Sequence, residues 1–302
     1  MKSENSENRP VEWPTLALLA TNYLLWGAAV LHYHQAPFLF APLLCIVLTL
    51  QSSLMHELIH GHPTRHAAIN AALGILPLTV IYPYHLFKET HLKHHNDTHL
   101  TEPGVDPESF FHCPSQWRQK NLVCRALAWV NMTLAGRLLL SVPVSLIQVA
   151  KYFVVQVGKG STAQRWSWFW HIGGLILVFW WISRFSQMPI GIYLFCAAVG
   201  HMLIALRAFF EHRPVTEPEA RIVIVESNWF FRLLYLGNNL HAVHHRYPTL
   251  PWYRIAATYR DRRPEFLNAN GQFCYRGYSR WLRYLFRPVH SPVHPGRTKP
   301  VT

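Results

Sequence analysis

Apolar and polar positions in this chain fall into long blocks, not a fine alternation. Pro14–Leu31 carries no charged side chain, and neither does Pro37–Met55. At ~1.5 Å per residue, each approaches the ~30 Å hydrocarbon layer of a bilayer. The link between them, His32-Tyr33-His34-Gln35-Ala36, contains no Lys or Arg, which predicts a helical hairpin with its turn away from the cytosol. Ala67–Tyr84 is apolar again but holds Gly74, Pro77 and Pro83, the pattern of a broken or shallow segment. Ala126–Gly158 is interrupted by Arg137 and Lys151 and reads as amphipathic helices lying at the interface. Trp166–Ile182 and Pro189–Leu206 are two further uncharged spans, with Arg184 the one cation between them. Lys159 and Arg165 precede that pair, and Arg207, Arg213 and Arg221 follow it, so the positive-inside rule puts both termini in the cytosol.

The pattern therefore predicts an all-α integral membrane protein with four transmembrane helices (14–31, 37–55, 166–182 and 189–206), interfacial helices and a cytosolic histidine-rich cap. The cap comprises residues 56–165 and 207–259. A short disordered arm, 1–13, precedes the main domain, 14–259, and a basic aromatic segment with a proline-rich, extended tail, 260–302, follows it.

Composition agrees. Charged residues make up 14% of the 302 positions and hydrophobic ones 50%, against about 25% charged in a soluble domain. The net charge of +13 sits near segment ends and in the C-terminal quarter. In Tyr275–Arg287, arginines alternate with Tyr, Trp and Phe, which suits a helix on an anionic leaflet. No nucleic-acid module is present, so no nucleic-acid partner is expected. Five cysteines, none in a C-x-x-C pair, imply reduced thiols and a cytosol-facing active region. The polar, mixed-charge start Met1-Lys2-Ser3-Glu4 lacks the form of a cleavable signal peptide.

Histidines carry the chemistry. His91, His94 and His95 stand at i, i+3 and i+4, so a helix presents all three rings on one face. The spacing returns at His241, His244 and His245, and His56 and His60 form an i, i+4 pair. Imidazole is a common ligand for iron, zinc and copper, and eight or nine such rings suffice for one two-metal site. His56-Glu57-Leu58-Ile59-His60 also fits the H-E-x-x-H zinc-protease motif, with Glu57 as general base. That reading leaves both H-x-x-H-H boxes unused. A metal transporter would place ligands mid-membrane, whereas these boxes lie at span ends. Glu57, Asp97, Asp106 and Glu108 are candidates to orient ligand N–H groups. His201, inside the fourth span, either lines a substrate cavity or bonds a neighbouring helix. His62 and His99 either support the boxes or are exposed.

These boxes resemble those of the membrane fatty acid desaturases, which carry H-x(3,4)-H, H-x-x-H-H and a late H-x-x-H-H with pairs of spans between. Flanking text is similar too: His91-Leu92-Lys93-His94-His95-Asn96-Asp97, Asp106-Pro107-Glu108-Ser109, Arg207-Ala208-Phe209-Phe210-Glu211-His212-Arg213 and Asn238-Asn239-Leu240-His241. The resemblance covers roughly Pro14–Tyr259. Carotenoid hydroxylases and ketolases share the boxes, so a hydroxylase or ketolase of a carotenoid or other lipid is the alternative. The resemblance implies a non-haem centre of two Fe (Fe2+/Fe3+) held by the eight box histidines, with His212 as a ninth ligand and Asn238 holding a metal-bound water. It implies O2-dependent oxidation of a fatty acyl chain in a bacterial inner membrane, with the active site cytosolic. His294-Pro295-Gly296-Arg297 superficially matches a b-type haem motif, but five residues after it leave no room for a haem domain. Electrons are expected from a separate donor, ferredoxin-like or a b-type cytochrome.

Overall fold

The computed structural model describes residues 11–96 and 99–296. Most of the expected N-terminal arm, Met1–Pro10, and the candidate Asp97 lie outside the described residues. In chain order the helices are α1 (Trp13–Leu31), α2 (Pro37–Ile59), α3 (Ala67–Gly74), α4 (Tyr84–Asn96), α5 (Pro114–Gln119), α6 (Leu122–Asn131), α7 (Leu134–Lys159), α8 (Thr162–Phe185) and α9 (Ile190–Ala208). Then follow β1 (Ile224–Val225), α10 (Trp229–Leu234), α11 (His241–Arg246), α12 (Trp252–Asp261), α13 (Arg263–Ala269) and β2 (Cys274–Tyr275). A 3-10 turn, Tyr278–Tyr284, comes last. Contacts divide the chain into two compact units, Met1–Lys88 with Pro143–His201 and Glu89–Val142 with Met202–Thr302.

The first unit is built on the hairpin of α1 and α2. Both helices carry Pro in their first turn, where a missing N–H costs nothing. Trp26, Ala29 and Val30 of α1 pack with Leu44, Val47 and Leu48 of α2, Val178 and Ile182 of α8, and Tyr193, Cys196 and Ala197 of α9. Buried polar groups in this core are paired, as a low dielectric demands. Asn22 Nδ2 donates to Gln51 Oε1 (2.8 Å). The Tyr193 hydroxyl accepts from Trp26 Nε1 (3.1 Å) and donates to the Leu78 carbonyl (2.7 Å). Gly200 lets α9 approach α2 closely: a Cβ there would lie 3.3 Å from the Cys45 carbonyl oxygen and from Leu48 Cβ. Leu24, Phe38, Ile176 and Phe195 stay exposed, an outward apolar face suited to lipid.

Among the described residues four helices are long and apolar enough to cross a membrane: α1, α2, α7 and α9. Here structure and sequence pattern differ. Ala126–Gly158, expected as interfacial helices, is α6 followed by a continuous helix of 26 residues that contains Pro143. The expected span Trp166–Ile182 lies in α8, a helix of 24 residues closed at its start by a Ser161–Gln164 capping box. Trp166, Trp168, Trp170, Trp180 and Trp181, each with a polar indole N–H, lower its hydropathy.

The second unit has its core at Ile224, Leu240, Val243, Ile255, Tyr259, Phe266 and Leu267. β1 pairs in parallel with β2. The basic aromatic stretch is therefore not one helix on a leaflet. It is a strand and a 3-10 turn whose Tyr278 and Trp281 are buried, with Trp281 stacked on Phe210 at 4.5 Å. Leu282 and Phe286 remain exposed. The expected extended tail is also anchored. Val293 bridges to His112, and buried His294 has its Nε2 3.0 Å from Thr101 Oγ1 while its Nδ1 accepts from the Gly296 amide (3.1 Å). Both nitrogens of the haem-like motif's imidazole are thus engaged.

Candidate metal centre

Three short pieces of backbone deliver the imidazoles of the second unit. α4 puts His91, His94 and His95 on one face, and α11 does the same for His241, His244 and His245. His212 follows α9, on a segment fixed by buried Phe209 and Phe210. Val223 stitches that segment to α11. Its amide donates to the Glu211 carbonyl (2.9 Å) and its carbonyl accepts from the Ala242 amide (3.2 Å).

The rings converge through their Nε2 atoms. His94 and His212 lie 3.2 Å apart by these atoms, His212 and His241 3.1 Å, and His241 and His245 3.0 Å. The ligand atoms of these four all fall within 4.8 Å of one another. A second set gathers beside them: His91 to His95 and His95 to His244, each 3.0 Å between Nε2 atoms.

Carboxylates stand behind the rings. His94 Nδ1 donates to Asp106 Oδ1 (2.9 Å), and His91 Nδ1 donates to Glu108 Oε1 (2.8 Å). His241 Nδ1 lies 3.5 Å from Glu211 Oε1, which Arg207 also pairs at 2.7 Å. A carboxylate only accepts, so the Asp106 and Glu108 contacts fix the proton on Nδ1 of His94 and His91 and direct each Nε2 into the pocket. Ring nitrogens then face one another at about 3 Å in a largely buried pocket, an arrangement that a cation between them suits. The donor set, all nitrogen, suits iron, zinc or copper.

Electrostatics point the same way. Burial, then the neighbouring imidazoles, hold His212, His241 and His245 well below the ordinary histidine value, so they are neutral at pH 7, the form that can ligate a metal. Burial also presses on His94, but the Glu108 and Asp106 carboxylates outweigh it and lift that ring to about 9. Positive charge is favoured at this point of the pocket.

A family model, Fatty acid desaturase, matches residues 28–277. The chain belongs to the fatty acid desaturase family. No curated protein matches it. As a desaturase family member it is a membrane oxidoreductase; its histidine sets fit a di-iron centre, and the family implies iron and a lipid substrate.

The other candidate residues fall as follows. His56 is on the last turn of α2 and His60 caps it, both buried in the first unit with ring centroids 4.6 Å apart. Glu57 beside them is buried, with Oε1 4.0 Å from His56 Nδ1. Asn238 is fully buried three positions before His241, just after Leu236 and Gly237 turn the chain at φ 48° and 76°. His201 is held by Ser145 Oγ, 3.0 Å from its Nε2, and so bonds a neighbouring helix within the first unit. His62 is buried against Glu12 (2.7 Å), while His99 is exposed beside Glu102.

Sequence reasoning missed the roles of Glu211 and Arg221. Glu211 was visible as the residue before His212, but its place behind His241, 30 positions on, follows no helical period. Arg221 is buried and donates to the carbonyls of Leu100, Val215 and Thr216. It thereby holds the loop in which the Thr101 amide donates to Asp106 Oδ2 (2.8 Å).

Proposed function

We propose that the protein is a membrane di-iron oxidoreductase that uses O2 and electrons from a separate donor to desaturate a fatty acyl chain. The observation that carries this is the pair of imidazole sets whose Nε2 atoms converge. His94, His212, His241 and His245 would hold one iron. His91, His95 and His244 would hold the other, with His56 and His60 completing that set and Asn238 keeping a water on it. When bound, the irons supply the O2 chemistry that breaks an unactivated C–H bond. The chain's own part is to keep the rings aimed and shielded from bulk water. Asp106, Glu108 and Glu211 do the aiming, and Glu57 is proposed to act likewise toward the α2 pair. The overall change removes two hydrogens from adjacent methylenes and consumes O2, two electrons and two protons to give an alkene and two waters. The donor is ferredoxin-like or a b-type cytochrome.

The contact between His94 and His212 supports a topology in which the chain between them crosses the bilayer an even number of times. On this reading two of α7, α8 and α9 cross. We place α8 and α9 across the membrane and α7 at the interface, because α7 carries Arg137 and Lys151 while Trp166–Ile182 is uncharged with tryptophans near both ends. With α1 and α2 this makes four crossings in a bacterial inner membrane, with the metal centre and both termini cytosolic.

Lipid profiling of a host with and without the protein tests the reaction. A new unsaturated chain is expected. A new hydroxyl or keto group would show instead a lipid hydroxylase or ketolase, and an unchanged profile from an iron-loaded protein would overturn both. His94→Ala should abolish activity and lower the iron content measured on purified protein. Full activity in that variant would remove the α4 box from the centre.

A further inference from the structure

Near the start of α7 a guanidinium lies between two aromatic rings, with no acceptor for its Nε and Nη2 among the described residues. The central carbon of the Arg137 guanidinium sits 3.7 Å from the ring centroid of Phe110 and 5.8 Å from that of Phe209. Its Nε and Nη2 are sealed from solvent and have no hydrogen-bond acceptor among the described residues. Other inward arginines of this unit are answered. Arg207 pairs with Glu211 (2.7 Å), Arg213 donates to the carbonyls of Ala220 and Asn270, and Arg221 donates to three carbonyls and lies 3.6 Å from Glu102. Ring quadrupoles attract a cation, but they do not accept the planar fork of N–H donors that a guanidinium presents. A buried fork with no acceptor is a costly arrangement unless an anion completes it.

The position is fixed by local geometry. Gly136 precedes Arg137 at the α6–α7 corner, and a Cβ there would fall 1.9 Å from the Val130 carbonyl oxygen. Phe110 follows Glu108, the carboxylate behind His91, by two residues. Phe209 precedes His212 by three. The two rings that hold Arg137 therefore belong to the backbone segments that build the metal pocket. Leu139, two residues along α7, is exposed and apolar, so the anion arrives on a lipophilic molecule.

We propose that Arg137 anchors the anionic end of the lipid substrate, taking a carboxylate or phosphate oxygen pair in bidentate fashion between Phe110 and Phe209. This rests on the reading of the protein as a lipid oxidase, and it deepens that reading: the carbon oxidised is counted from the anchored end. Carboxylate and phosphodiester share the required chemistry.

The test is binding, measured without turnover on the full-length protein in neutral detergent, with palmitate, phosphatidylglycerol and uncharged methyl palmitate as probes. The wild type should bind palmitate, phosphatidylglycerol or both at least about tenfold more tightly than methyl palmitate, as charge-assisted hydrogen bonds allow. Palmitate alone would identify a free carboxylate, and phosphatidylglycerol alone a headgroup phosphate. The preference should vanish in Arg137→Met and return in part in Arg137→Lys, which keeps the charge without the fork. The wild-type comparison needs no variant, so the proposal is testable even if Arg137→Met does not fold. Equal binding of all three probes by the wild type, or a preference that survives in Arg137→Met, overturns it. An unchanged host lipid profile would sink the oxidation reading separately, because the binding experiment does not depend on catalysis.

Discussion

Asp106 satisfies three donors at once: His94 Nδ1 (2.9 Å), the Thr101 amide (2.8 Å) and the Glu108 amide (2.8 Å). It therefore aims a ring and closes a loop with one carboxylate. Partners of this kind behind metal-bound histidines are worth about 10–100-fold in metal affinity. Asp106→Asn should lower affinity by that amount in a competition titration with a chromophoric chelator, and unchanged affinity would show that His94 is held by packing alone. At this scale the sequence was most legible where chemistry repeats with the helical period. His91, His94 and His95 announce themselves by spacing, and so do His241, His244 and His245. Pairings set by tertiary contact carry no such signal: nothing in the spacing links Glu211 to His241, or Arg221 to the Leu100 carbonyl.

Helices in this protein are placed by single small or polar residues as much as by apolar faces. Gly200 is the clearest case, since any larger side chain must push α9 away from the α2 backbone. Gly200→Leu should cost about 1–3 kcal/mol, the range for overpacking, read as a lower thermal midpoint in detergent. A midpoint equal to wild type would mean that the two helices separate freely there. The hairpin of α1 and α2 could be read directly from uncharged blocks, and the broken segment after α3 from Pro77 and Pro83. In α7 two signals oppose each other: its length and hydropathy suffice for a crossing, while Arg137 and Lys151 favour the interface. The C-terminal stretch was misread for a related reason. Tyr278 and Trp281 suit a membrane surface by composition, but Phe210 offers Trp281 a protein surface, and Phe231 and Tyr235 offer Tyr278 one.

For the molecule as a whole, the second unit owes part of its stability to whatever sits among its imidazoles. Binding confined to the folded state stabilises it by mass action, about 2.7 kcal/mol when the ligand stands at 100 times its Kd. Stripping metal with a chelator should lower the thermal midpoint by roughly 5 °C. Hydrogen exchange should quicken in α4 and α11 more than in α1 and α2, and an even loss of protection would place the metal's effect elsewhere. The contact between His94 and His212 joins positions 118 residues apart. During synthesis, then, the pocket has no complete form until the ribosome has passed His245, by which time every helix long and apolar enough to cross a membrane has already been made. With the proposed iron as the last component to arrive, a cell starved of it would accumulate a loosely closed protein exposed to membrane proteases.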